Sequence, residues 1–244
     1  MCEQFIARAG EPFRLDELWS FTERLERFGL AGFGWGAAWL DGGAGSIRVH
    51  RDVRAFRDDP GRDGLGRAET TSLLVHLRRP SRLSTLQLPD TQPFEDPRGR
   101  FAFSHNGDLR DYRAARARFR LQGRIHGRAD SEVGQRWLED AWSDAEPVGH
   151  LLGSLHDAFG GEANFAVLTP DGTPHHYAGN PQNPVFTFRL GRIGIAATAL
   201  YSVDRSLFRF CAPGATDRAP VRLHSTIALD AGGRPIQAVR RANR

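Results

Sequence analysis

Residues 101–107 read FAFSHNG. The aromatic-rich run predicts a strand, and Asn106-Gly107 stops it with a strong turn dipeptide. An Asn side-chain amide beside a glycine N–H also supplies two donors of the kind that acyl transfer aims at a developing oxyanion. A plain hairpin turn and an oxyanion-binding corner both account for the pair.

Downstream, a basic helix is expected from near Asp108 to about Leu121, and a second opens at Asp130-Ser131-Glu132, where Asp or Ser can cap. A third runs from about Val148 to Phe159 and ends on Gly160-Gly161. Three hairpins follow, turning at Asp171-Gly172, at Gly191 and at Gly232-Gly233. Upstream, Leu15–Leu30 carries Leu15, Leu18, Trp19, Phe21, Leu25 and Phe28 at helical spacing. Residues 35–40 (WGAAWL) and 71–79 (TSLLVHLRR) read as strands, and 58–67 and 80–100 as loops. There is no internal repeat and no linker. One helix, several strands, helices, then hairpins predict an α+β layered domain with antiparallel sheets.

The chain has 244 residues, 40% hydrophobic and 10% aromatic, a globular composition with room for a large core. All 33 basic residues are arginine. Without lysine, Schiff-base chemistry and a P-loop lysine are excluded. Two cysteines without a CxxC spacing argue against a disulfide framework and a structural zinc site, and no cofactor or metal is expected. No apolar run is long enough to span a bilayer and no secretory signal is evident, so the expected location is the cytoplasm. Seven arginines between Arg110 and Arg128 could mark a nucleic-acid or acidic-partner surface; with a net charge of +4 and no nucleic-acid motif, a solvated helix face is preferred. His150, His156, His175 and His176 lack ligand spacing and read as structural or surface residues, and Cys211 as a small core residue.

Four features bear on chemistry. Removal of Met1 would leave Cys2 with a thiol nucleophile and a free α-amine of pKa near about 8 that can serve as its base. Asn106 and Gly107 offer the two donors described above. Arg78, in His76-Leu77-Arg78, suits bidentate carboxylate binding or is a surface arginine. Asp130 suits a substrate ammonium or is an N-cap.

In this order the features resemble the class II glutamine amidotransferases of the N-terminal-nucleophile (Ntn) hydrolase superfamily. The likeness runs through Met1-Cys2, Gly34-Trp35-Gly36, His76-x-Arg78, Pro93-Phe94, Ser104-His105-Asn106-Gly107 and Asp130-Ser131-Glu132, over about the first 135 residues. It implies a four-layer αββα sandwich and one amidotransferase domain over residues 2–244. It also implies roles. Cys2 would attack the side-chain amide of glutamine, Asn106 and Gly107 would hold the oxyanion, and Arg78 and Asp130 would bind the α-carboxylate and α-ammonium. Arg79, Ala129, Gln92 and Ala178-Gly179-Asn180-Pro181 depart from the family pattern.

Three functions fit the resemblance. The first is an amidotransferase that passes ammonia to a separate synthase partner. The second is a hydrolase of γ-glutamyl conjugates, similar to the ergothioneine-pathway enzyme, and the third is a catalytically silent module on the same fold. The expected ligand is therefore glutamine or another γ-glutamyl small molecule.

Overall fold

The first residues form a strand that the sequence reading left unassigned, and it is central to the fold. In the computed structural model, which describes residues 2–198 and 205–237, β1 spans Glu3–Arg14. Met1 and the ends of two expected hairpins, 199–200 and 238–240, lie outside the described residues. A 3-10 turn at Leu15–Leu18 leads into α1 (Trp19–Gly29), followed by β2 (Trp35–Asp41) and β3 (Ser46–Asp52). The expected loop at 58–67 instead contains the one-turn helix α2 (Arg62–Gly66), and β4 is Glu69–Leu77. Residues 80–100 are irregular apart from two 3-10 turns and the two-residue β5 (Phe94–Glu95).

The strand read from residues 101–107 is β6 (Ala102–Gly107). Three helices follow: α3 (Arg113–Leu121), α4 (Ser131–Ala141) and α5 (Val148–Phe159). The first of these starts at Arg113, later than expected, because the chain from Asp108 to Asp111 bonds to the 159–162 segment instead. The expected hairpins are β7 (Ala163–Leu168) with β8 (Pro174–Ala178), β9 (Val185–Leu190) with β10 (Ile193–Thr198), and β12 (Ser225–Leu229) with β13 (Pro235–Gln237). Between the last two lie α6 (Arg205–Cys211) and β11 (Thr216–Pro220), neither foreseen.

Two antiparallel sheets result, in the orders β11-β9-β10-β1-β4-β2-β3 and β13-β12-β8-β7-β6-β5. Strand side chains alternate between faces. Phe5 and Ala7 of β1, with Leu73 and Val75 of β4, point to a core shared with Trp19, Phe21 and Leu25 of α1. Phe103 of β6 and Phe165 of β7 point to a second core with Phe119, Val133 and Leu152 of α3, α4 and α5. Ile6, Leu74, Ala102, Ala166 and Ala196 form the layer between the sheets. The layers therefore run helix, sheet, sheet, helix, which is the αββα arrangement that the resemblance implies. No helix among the described residues is long and apolar enough to cross a membrane.

The layer between the sheets also contains a buried polar chain. Gln4 Nε2 meets His176 Nε2 at 3.2 Å, Ser104 donates to Gln4 Oε1 at 2.8 Å, and His76 Nδ1 meets the Ser104 hydroxyl at 2.7 Å. Burial pushes both histidines down to about 3, so both are neutral at physiological pH. The chain ties β1 and β4 of one sheet to β6 and β8 of the other, and it explains why His176 is structural.

Candidate active site

Cys2 immediately precedes β1, where the β1–β4 register pairs Glu3 with Leu77. One step outward along the same register places Cys2 beside Arg78. The Arg79 N–H donates to Cys2 Sγ at 3.3 Å. Burial raises the thiol pKa; the Arg79 hydrogen bond and then the Arg78 charge oppose it. Such a thiol stays protonated at neutral pH and needs a base to act as a nucleophile.

Arg78 is a buried residue, not a surface one. Its N–H donates to Gly34 C=O at 2.8 Å, extending the β2–β4 pairing. Burial lowers its pKa, against the charges of Cys2 and Asp90. Nη1 is buried without a hydrogen-bond partner, and no carboxylate among the described residues forms a salt bridge with it. A buried guanidinium with an unused donor can pair with an anion.

Asn106 and Gly107 end β6, but they do not turn a hairpin, because β6 pairs with β5 and with β7, Asn106 opposite Asn164. Asn106 is fully buried, and among the described residues neither its Oδ1 nor its Nδ2 has a partner. Gly107 has φ of 131°, and a Cβ there would lie 1.8 Å from the Glu162 carbonyl oxygen. A side-chain amide left unpaired in the interior costs about 1–3 kcal/mol, an expense that structural packing alone does not explain.

Asp130 caps α4. Its Oδ1 accepts from Ser131 N–H at 3.0 Å and its Oδ2 from Leu109 N–H at 2.7 Å. The cap reading is therefore realised, and the same carboxylate holds the chain two residues beyond Gly107. Asp90 is fully buried, and its Oδ1 accepts from Arg128 N–H at 2.6 Å and Ala129 N–H at 2.7 Å. Its charge acts on Arg78, so Asp90 connects the Arg78 strand to the loop that carries Asp130.

Gln92 clamps His105 like a neighbouring strand: its Oε1 accepts from His105 N–H at 2.6 Å and its Nε2 donates to His105 C=O at 3.1 Å. His105 Nδ1 meets Ser131 Oγ at 2.9 Å. Asn106 is thus held from behind by the start of α4. Gly36 permits this arrangement, because a Cβ there would lie 2.3 Å from the Gln92 carbonyl oxygen.

Sequence reasoning missed the link between Cys2 and Asn106. Asn183 Nδ2 donates to Cys2 C=O at 3.3 Å. Asn164 Nδ2 donates to Asn183 C=O at 2.8 Å, and Asn164 Oδ1 accepts from the N–H groups of Gly179 and Asn180, each at 3.0 Å. Glu3 was missed as well. It is fully buried, with Oε2 bonded to the Thr198 hydroxyl at 2.6 Å. Burial raises its pKa to about 8, against the Thr198 hydroxyl and the nearby Asn183 amide. The only signal for Glu3 was an acidic residue next to the candidate nucleophile. For the two asparagines no local signal existed.

Comparison with known proteins gives the family and the fold. A family model described as class-II glutamine amidotransferases matches residues 12–174. A B. subtilis glutamine phosphoribosylpyrophosphate amidotransferase, solved with ADP and GMP, superposes with a TM-score of 0.73 at 17% identity, over 97% of this chain and 49% of that one. A structure described as the allosteric regulatory enzyme of purine biosynthesis gives 0.70 at 17%, over 93% and 47%. A glutamine aminotransferase class-II domain protein from Silicibacter pomeroyi gives 0.59 at 19%, over 96% and 98%. The chain spans about half the length of the first two proteins. No curated protein matches the sequence.

Proposed function

Since the chain belongs to the class II glutamine amidotransferases, an enzyme family of Ntn-hydrolase fold, we propose that it hydrolyses the side-chain amide of glutamine through a thioester on Cys2 and releases ammonia to a separate partner. Residues 2–244 act as one amidotransferase domain in this reading. The observation that carries it is the set of buried polar groups without partners among the described residues: Arg78 Nη1, beside Cys2, and both amide atoms of Asn106.

In the proposed reaction, Met1 is first removed, which frees the α-amine of Cys2. The amine takes the thiol proton as sulfur attacks the glutamine carbonyl carbon. The oxyanion forms against the Asn106 amide and the Gly107 N–H. The amine then gives its proton to the departing nitrogen, and ammonia leaves. Water hydrolyses the thioester, returning the thiol and releasing glutamate. Arg78 binds the substrate α-carboxylate, and Asp130 turns a remaining lone pair to the α-ammonium.

The test is intact mass before and after treatment with 6-diazo-5-oxo-norleucine, a reactive glutamine analogue. Loss of one methionine and an adduct mapping to Cys2 are expected. A protein that keeps Met1 in a host that removes it efficiently would refute the mechanism.

One observation favours a second substrate class. Phe33, whose N–H donates to Arg78 C=O, and Leu83 and Leu86, shortly after Arg79, are exposed apolar residues. An apolar rim suits a γ-glutamyl conjugate with a bulkier leaving amine. Such conjugates would then be cleaved faster than glutamine, with no partner present.

A further inference from the structure

Two buried acceptor atoms, one on the residue that follows Cys2 and one on the residue that bonds the Cys2 carbonyl, have no assigned use. They are Asn183 Oδ1 and Glu3 Oε1, and among the described residues neither makes a hydrogen bond of ordinary geometry. Both belong to side chains already anchored by their other polar atom. Asn183 is held through Nδ2 on Cys2 C=O, and Glu3 through Oε2 on Thr198. Gly29 at the end of α1 leaves the space that Glu3 fills, since a Cβ there would lie 2.5 Å from Glu3 Cγ.

We propose that Asn183 and Glu3 are positioning residues for the α-amine of Cys2, offering it two uncharged acceptors that leave its lone pair turned to the thiol. The inference rests on Cys2 being the nucleophile. An amine that must accept the thiol proton has to be neutral at rest. A carboxylate beside it would stabilise the ammonium and remove the base. Amide and carboxylic acid oxygens orient the two N–H bonds without that penalty.

The hydrogen bonds around Thr198 accommodate a protonated Glu3. Thr198 Oγ1 accepts from Gln4 N–H at 2.9 Å and lies 3.2 Å from Gln4 C=O. With Glu3 protonated, its O–H donates to Thr198 Oγ1, and the Thr198 hydroxyl donates to Gln4 C=O. Oε1, which the Asn183 amide also approaches, then keeps a lone pair for an incoming N–H. Burial, which holds Glu3 near 8, supports the same state. Of the charged and titratable groups around them, Arg78 from β4 acts on Cys2, and the Cys211 thiol from α6, pushed up to about 11 by burial and by Glu3, is neutral.

The experiment is the pH dependence, from about 5.5 to 9.5, of kcat/KM for glutamine and of Cys2 alkylation by 6-diazo-5-oxo-norleucine, in the wild type, Asn183→Asp and Glu3→Gln. The wild type is expected to rise through the amine pKa and fall again as Glu3 ionises. Glu3→Gln should lose the alkaline fall. Asn183→Asp should move the acid limb up by about 1–3 pH units, with activity recovering at higher pH and KM little changed. Limbs that superimpose on the wild type in both variants, or a loss confined to KM, would overturn the inference. If Asn183→Asp does not fold, the alkaline limb of Glu3→Gln decides. A wild type that takes no adduct on Cys2 would instead refute the underlying nucleophile assignment.

Discussion

The backbone N–H of Arg79 donates to Cys2 Sγ at 3.3 Å across 77 positions of sequence. This bond, formed where β4 leaves its sheet, fixes the thiol beside the Arg78 guanidinium. It makes the end of the β1–β4 pair the corner of the site, and the following expectations concern what surrounds that corner.

Asn106→Ala should lower kcat by about 10²–10³-fold, the usual cost of one oxyanion donor, while KM changes little. Steady-state kinetics with glutamine checks this. Thermal stability should not fall, because the lost amide has no partner among the described residues.

Arg78→Gln should raise KM for glutamine by about 10–100-fold, the value of a hydrogen bond to a charged group. Arg78→Lys should recover little, since a lysine lacks the planar fork. A comparable KM in Arg78→Gln and the wild type would remove Arg78 from substrate binding.

Gly107→Ala should lower the melting temperature by several degrees as well as abolish activity, because φ of 131° and the Glu162 carbonyl both exclude a Cβ. Calorimetry separates this from Asn106→Ala, which should lose activity alone.

Stability should peak near neutral pH. His76 and His176 fall from 6.5 to about 3 on folding, and His175 to about 4, so the unfolded chain binds more protons and stability drops as pH falls below about 6.5. Glu3 rises from 4.5 to about 8, so its contribution is complete below 4.5 and is lost as pH climbs through 8. Denaturant midpoints measured from pH 5 to 9 should show both declines. Glu3→Gln should flatten the alkaline decline and leave the acid one in place.

Much of the fold was legible locally. The strand at 101–107, the cap at Asp130, α5 with its glycine stop and the three hairpins follow from period and turn chemistry, which act over a few residues. The strand β1 was not, although it lies between β10 and β4. Its start was read for a leader peptide and a nucleophile, and the paired partners that make it a strand come from far along the chain. The one-turn α2 was missed because glycines and charges at 61–67 carry a loop signature, whereas its Leu65 packs against the α1 core.

The sequence by itself determined which residue types were available: a cysteine behind Met1, an Asn-Gly pair, an arginine near the end of a strand, an acidic residue at a helix start, and no lysine. Order and spacing were enough to point to the family, because each of those signals is written in a few adjacent residues. Only the tertiary structure decided that Arg78 is buried with a donor to spare, that the Asn106 amide has no partner among the described residues, that Asn164 and Asn183 form a chain to the Cys2 carbonyl, and that Glu3 is buried behind it. Those properties depend on burial and on strands meeting across more than a hundred residues. Burial turns an ordinary polar atom into an unpaired one, and no stretch of sequence records it.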